Sequence, residues 1–322
     1  MKKNRVFVAL LLVFLLLNAA CLALEKIEAD RDVSLTITFE ANDKGFEDAR
    51  FNIYRVGHID ADGHISAIAP FDAYNVDIEM DSESDVGGAA AALEGYIMRD
   101  LIQATDSGLT DHSGIVRFPY NGRKLKQGIY LISCERRAED GMFYQIQPVL
   151  VSLPGMSPDK TQWIYDLKIN PKSMATYILP DGEKISRKVL KIWDDEGYEA
   201  LRPESISVQL LRDGKVFDRV TLNAEQLWRH TWPELDANHH WTVVEAVLED
   251  YSMSVTQEGI TFMITNAYSP EEPVPTPTPP QTPDKPSGSR LPQTGQLWWP
   301  VPMLIAVGML CIIIGLLRRR SN

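Results

Sequence analysis

Residues 189–195 read Val189-Leu190-Lys191-Ile192-Trp193-Asp194-Asp195. The run is β-branched and aromatic-rich, and it ends in two acidic residues, so it reads as a strand that opens a domain. Side chains on a strand alternate between faces, which puts Lys191 on a different face from Leu190 and Ile192. A core can therefore receive the lysine. Further segments of the same kind follow: Arg202 to Leu210, Val220 to Asn223, Trp228 to Trp232, Trp241 to Ala246 and Ile264 to Tyr268. Arg212-Asp213-Gly214-Lys215 carries the Asp-Gly pair of a tight hairpin. Short strands separated by turns over about 85 residues, 184–268, predict a β-sandwich.

Upstream, residues 33–39 (Val-Ser-Leu-Thr-Ile-Thr-Phe) alternate apolar and polar, and Asn42 to Gly45 is a turn. Ala49 to Val56 alternates again, with Phe51, Ile53 and Val56 expected to face a core. Asp60 to His64 has the composition of a hairpin tip with too few acidic ligands for a calcium loop. Residues 88–104 change period: Ala89 to Ala92, Leu93, Tyr96, Ile97, Leu101 and Ile102 fall at helical spacing, with Glu94, Arg99 and Asp100 outside. This predicts one amphipathic helix packed on a sheet. Strand patterns resume at Gly114–Tyr120, Gly128–Glu135, Tyr144–Leu153 and Trp163–Ile169.

Both ends differ in composition from this body. Lys2, Lys3 and Arg5 precede the apolar run Val6–Leu17, and small residues at Ala19, Ala20, Cys21 and Ala23 follow, the pattern of a secretory signal peptide cleaved after Ala23. At the other end, Leu297–Leu317 contains no charged residue and is followed by Arg318, Arg319 and Arg320. As a helix that run spans ~31 Å, enough to cross a hydrocarbon core with the arginines on the cytoplasmic side. Ser269–Arg290, rich in Pro and Thr, predicts an extended polyproline stalk of up to ~70 Å.

Without these ends, residues 24–294 retain 26 Lys/Arg against 44 Asp/Glu, a net charge of −18. Such a surface repels nucleic acid and anionic headgroups. Only Cys134 remains of the three cysteines, which leaves no partner for an internal disulfide. The six histidines are scattered, and no HExxH, GxSxG, phosphate loop or CxxC occurs. The sequence predicts neither a conventional enzyme nor a cofactor nor a metal site.

Three resemblances sharpen this picture. Leu291-Pro292-Gln293-Thr294-Gly295, placed before the apolar run and the arginines, resembles the LPXTG sorting signal of Gram-positive surface proteins. It implies cleavage between Thr294 and Gly295 by a sortase. The Thr294 carbonyl would then pass to an amine of cell-wall peptidoglycan or of a neighbouring pilin subunit. The segments 35–38, 49–56, 128–135, 148–154 and 163–172 resemble the N-terminal domain of sortase-assembled pilins. There Lys172, in Asn170-Pro171-Lys172, stands at the position of the lysine that attacks the sortase thioester, although Asn170 replaces the usual aromatic residue. Residues 184–268 resemble the Cna B-type domain, an immunoglobulin-like sandwich.

That last resemblance implies an internal isopeptide bond between Lys191 and Asn266, with Glu245 as the catalytic acid. In the first domain Phe39 stands where such a lysine is expected, although Glu135 matches the acid, so no bond is expected there. The expected whole is mainly β, with two immunoglobulin-like β-sandwich domains in tandem, the first carrying an inserted helix. The segments are 1–23 signal peptide, 24–180 pilin-like domain, 181–268 Cna B-type domain, 269–290 stalk and 291–322 sorting signal with a transmembrane helix. The implied protein is secreted and covalently anchored to the cell wall, its precursor held in the membrane. It would serve as a structural pilin subunit, or alternatively as a monomeric adhesin.

Overall fold

The computed structural model describes residues 26–41, 44–80 and 83–268. The signal-peptide stretch, the Asn42-Asp43 turn tip, the proline-rich segment, the Leu291–Gly295 motif and the apolar run behind it lie outside these residues. The first half contains β1 (Ser34–Thr38), β2 (Glu40–Ala41), β3 (Lys44–Gly45), β4 (Arg50–Ile59), β5 (Ile65–Ala67), β6 (Asp106–Leu109), β7 (Ile115–Phe118) and β8 (Gly128–Cys134). It continues with β9 (Arg137–Glu139), β10 (Met142–Ile146), β11 (Val149–Leu153), β12 (Gly155–Met156), β13 (Trp163–Ile164), β14 (Asp166–Ile169) and β15 (Ser173–Tyr177). One long helix, α1 (Glu83–Asp100), lies between β5 and β6. The protein is mainly β, built of β-sandwiches with this one long helix among the described residues.

Two sheets form the first sandwich. In one, β1 lies between β7 and β14; in the other, the order is β11-β8-β4-β5, with β6 also on β4. Leu35 and Ile37, apolar positions of the alternating stretch 33–39, and the expected inward residues Phe51 and Ile53 are fully buried between them, together with Phe118, Tyr130 and Ile132. Val56 faces the other way. Along β4 and β8, Tyr54, Val56, Ile129 and Leu131 belong to a second apolar cluster on the outer face of this sheet. A sheet buried on both faces loses its polar alternation, which is why β8 reads as the unbroken run Ile-Tyr-Leu-Ile.

Helix α1 covers that outer face. It begins earlier than the spacing predicts and ends at Asp100. Leu101 takes a left-handed conformation (φ 53°) and is exposed, whereas Ile102 donates its backbone N–H to Ile97 at 3.1 Å and packs on the core. The helix therefore stops two residues before the apolar pattern does. The expected strand 144–153 is likewise two strands, divided at Gln147-Pro148, where proline donates no ladder hydrogen bond.

The second half contains β16 (Lys184–Asp194), β17 (Ser205–Arg212), β18 (Lys215–Asn223), β19 (Arg229–Asp236), β20 (Trp241–Glu245), β21 (Tyr251–Glu258) and β22 (Thr261–Tyr268). One sheet has the order β19-β16-β22-β21, and the sheet facing it is β18-β17-β20. Asp213 and Gly214, both at positive φ, turn the predicted two-residue hairpin between β17 and β18.

The far side of α1 packs on β20 and β21, so one apolar cluster runs from Ile129 and Leu150 through Leu93 and Tyr96 to Val243, Val244 and Val255. Glycines set the approach. A Cβ at Gly95 would lie 2.7 Å from Val244 Cγ2, and one at Gly88 would lie 2.9 Å from Ser254 Cβ. Each glycine costs the helix about 1 kcal/mol relative to alanine, offset by contact with the second sandwich. Exposed Gly87, where an added Cβ would meet nothing within 4 Å, has no such role. Gly95→Val is expected to lower stability by about 1–3 kcal/mol through overpacking. Gly87→Ala is expected to raise it by up to about 1 kcal/mol. Urea midpoints of the two variants against the parent measure both.

Candidate functional site

β16 and β22, the first and last strands of the second sandwich, lie side by side and parallel. Lys191 is in register with Ile264, and Trp193 with Asn266. Asn266 is thus two residues further along the neighbouring strand. With ~4.8 Å between strands and ~3.3 Å per residue, the two Cα atoms are ~8 Å apart, which an extended lysine and a short asparagine span between them. Glu245 comes from the facing sheet, at the end of β20 and in register with Val208. The three sequence-predicted residues therefore converge inside the sandwich. Lys191 is 4%, Glu245 1% and Asn266 1% exposed.

Glu245 occupies the centre of this group. Its Oε1 accepts a 2.8 Å hydrogen bond from Asn266 Nδ2, and its Oε2 lies 3.6 Å from Lys191 Nζ. Lys191 Nζ also donates to the carbonyl of Ile192 at 3.0 Å and that of Ile264 at 3.4 Å, and it sits 4.3 Å from the centre of the Trp193 ring. Glu245 Oε2 and Asn266 Oδ1 have no hydrogen-bond partner. An orphaned buried acceptor is costly, and Glu245 holds one of these two 3.6 Å from the Lys191 amine.

Burial acts on both ionisable groups. It pushes the Lys191 ammonium down to about 8, against the attraction of Glu245, and it raises the Glu245 carboxyl against the opposing pull of Lys191. Both shifts narrow the gap that keeps the proton on nitrogen, toward a neutral amine beside a neutral acid. Asp195 flanks the pair. Arg202 clamps it from two nitrogens, at 2.8 and 2.5 Å, and holds its carboxyl below the usual range, and Tyr251 donates to it at 3.2 Å. Trp193 packs edge-on against Trp228 and Tyr251, closing the site at that end.

The other predicted residues lie elsewhere. Lys172 is exposed between β14 and β15, after buried Pro171, while Asn170 donates to Glu40 at 3.0 Å. Phe39 is fully buried against Phe46 and Phe51. Glu135 faces solvent, 3.6 Å from Arg50, so its match to a buried acid is one of sequence position only. Among the described residues no group of three or more His, Cys, Asp or Glu is placed to hold a metal ion. The sequence places Tyr96 only on the apolar stripe of the helix and gives no sign that its hydroxyl donates to the Glu245 backbone carbonyl at 3.1 Å from α1. No local pattern joins residues 149 positions apart.

Residues 187–267 match the Cna protein B-type domain family. A 116-residue stretch is 32% identical to the collagen adhesin of Staphylococcus aureus; it covers 33% of this chain but only 10% of the adhesin, so this chain spans about a tenth of that protein. Among solved structures, a single B repeat unit of the collagen-binding surface protein of S. aureus shares 18% identity over 74% of this chain and 99% of that one, with a TM-score of 0.26. The SpaE basal pilin of Lactobacillus rhamnosus GG shares 10% identity over 77% and 95%, with a TM-score of 0.30.

The shifted lysine has a measurable consequence in any form that keeps its amine free. Asn266→Ala removes the carboxamide and leaves Lys191 as an amine. Between pH 8 and the ordinary lysine value near 10.4 the unfolded chain binds more protons than the folded one, so stability rises with pH across that window. The urea midpoint of Asn266→Ala, relative to Lys191→Met/Asn266→Ala, should therefore increase from pH 8 to pH 10. A flat or falling difference would show that the amine is not buried as described.

Proposed function

We propose that this chain is a sortase-processed surface protein of the Gram-positive cell wall, acting as a structural pilin subunit. Its second sandwich, residues 181–268, closes on an internal amide bond between Lys191 and Asn266. The observation that carries the reading is the buried contact of Glu245 with both residues, at 3.6 and 2.8 Å, inside a segment that matches the Cna B-type family. The remaining division is a 1–23 signal peptide, a 24–180 pilin-like domain, a 269–290 stalk and a 291–322 sorting signal. It rests on sequence, and so does the role of Thr294 as the acyl group passed to sortase and then to peptidoglycan or a neighbouring subunit.

The chemistry uses only groups of this chain. Neutral Lys191 Nζ attacks Asn266 Cγ, forming the new C–N bond. Turning the Asn266 amide over brings its oxygen to Glu245, whose protonated carboxyl then donates to it and stabilises the developing oxyanion. The bond from Cγ to Nδ2 breaks. One hydrogen of the lysine nitrogen passes through Glu245 to the departing nitrogen, which leaves as ammonia, and Glu245 ends protonated as it began. Joining residues 75 positions apart removes ~4–5 kcal/mol of unfolded-chain entropy by the estimate used for disulfides. Lys172, exposed at a strand end, supplies the amine for linkage to another subunit.

A second reading is a wall-anchored adhesin that stays monomeric, favoured by the 32% identity to a collagen adhesin. Wall extracts separate the two. A ladder of boiling-resistant high-mass species is expected, and Lys172→Ala is expected to abolish it; a single band from the parent protein selects the adhesin. Intact mass of the purified protein should fall about 17 Da short of the sequence mass, the mass of one ammonia. Lys191→Met, Glu245→Ala and Asn266→Ala should each restore the full mass.

A further inference from the structure

The Lys191–Glu245–Asn266 group belongs to the second sandwich, yet one wall of its surroundings comes from the first half of the chain. Tyr96 of α1 is fully buried and donates its hydroxyl to the Glu245 backbone carbonyl at 3.1 Å. The same oxygen lies 3.6 Å from Met253 Sδ on β21, next to β22, which carries Asn266. Its ring is held flat against Tyr74, 4.3 Å between centres and 6° from parallel, and Tyr74 in turn donates to Asp100 at 2.7 Å. Gly95, the preceding residue, brings the helix backbone against Val243 and Val244, the last two residues before Glu245. Glu245 is the last residue of β20, an edge strand: Ala246 N–H ties the peptide to Ser207 of β17 at 2.9 Å on one side, and on the other, where no strand pairs, the Tyr96 hydroxyl holds the Glu245 carbonyl.

We infer that Tyr96 is a positioning residue for Lys191–Asn266 bond formation, so that the second sandwich closes its cross-link only after helix α1 has docked on it. This rests on the proposed cross-link. Two effects act together. The hydroxyl fixes the peptide of Glu245, and with it the direction of the carboxyl toward Lys191 and Asn266. The helix also excludes water from the end of β20. In water an amine and a carboxylic acid favour the ion pair by about six pH units, the gap between their ordinary values; an apolar wall narrows that gap and populates the neutral pair that reacts.

Full-length chains made by cell-free translation, sampled over time for intact mass, follow the loss of ammonia directly. Tyr96→Phe keeps the ring stacked and removes only the hydroxyl. It is expected to slow the mass loss by about tenfold, the effect of one mispositioned buried hydrogen bond. Ile97→Val supplies the control: it also trims α1 and lowers the urea midpoint, but Ile97 lies about 160° round the helix from Gly95, whose face meets Val243 and Val244, and it carries no hydroxyl. It should leave the rate unchanged. Equal rates for Tyr96→Phe and the parent, or equal slowing by both variants, overturn the inference while leaving the cross-link intact. A parent chain that never loses ammonia overturns the cross-link, and this inference with it.

Discussion

The second sandwich is organised by one electrostatic constraint: an amine, a carboxyl and a carboxamide share a water-free interior. A buried ammonium facing a buried carboxylate suffers a desolvation penalty that their attraction rarely exceeds. Side-chain carbonyl and carboxylate oxygens without partners add to it. Replacing the lysine with an aliphatic residue would make an easier core, since Val189, Val208, Leu210 and Val243 of the same sandwich all belong to its apolar cluster. The arrangement becomes reasonable when the charges cancel by proton transfer and the amine ends as an amide nitrogen. In that form Lys191, Glu245 and Asn266 together carry no charge: an amide and a neutral acid remain.

The rest of the architecture serves that arrangement. Lys191 and Asn266 meet because the first and last strands are neighbours, and Glu245 reaches them because β20 lies in the opposite sheet. Water is kept away at one end by Trp193, Trp228 and Tyr251, and at the other by α1. The glycines of α1 are the sequence-level trace of that second wall: Gly88 and Gly95 fall seven residues apart, on one face of the helix, where an ordinary side chain would hold it away from β20 and β21.

Much of this is legible in the amino-acid sequence. Six of the seven strands of the second sandwich, the Asp213-Gly214 turn and the alternation of β1 follow from periodicity and turn chemistry; β21 (Tyr251–Glu258), on which α1 packs, lies in none of the segments read as strands from the sequence. The grouping of Lys191, Glu245 and Asn266 came from family resemblance, since no spacing rule joins residues 191, 245 and 266. What alternation could not supply was the doubly buried sheet. Phe51 and Val56 are both apolar, yet they point into different clusters, and periodicity gives the parity of a residue without saying what lies on each side. The helix shows the same limit. Its apolar stripe predicted a sheet beneath it, whereas its small residues, which carry no hydrophobic signal, mark the second sheet above. Leu101 misled for a related reason: the pattern counted it as apolar, but the chain had already left the helix.

The parallel pairing of β16 with β22 also bears on load. The two strands run the same way, so tension applied between the start of β16 and the end of β22 pulls along the ladder and shears its hydrogen bonds together rather than one after another. Such a ladder resists force until enough bonds fail at once, after which the intervening strands would pay out. Under the proposed linkage, an amide from Lys191 to Asn266 bridges the two strands directly. Force entering at Lys184 then passes through at most seven residues of β16, crosses the amide, and leaves through the last two residues of β22. The 74 residues between the linked positions are outside the load path, including all of β17 to β21. Helix α1, which docks on β20 and β21, would for the same reason remain seated while the chain is under tension.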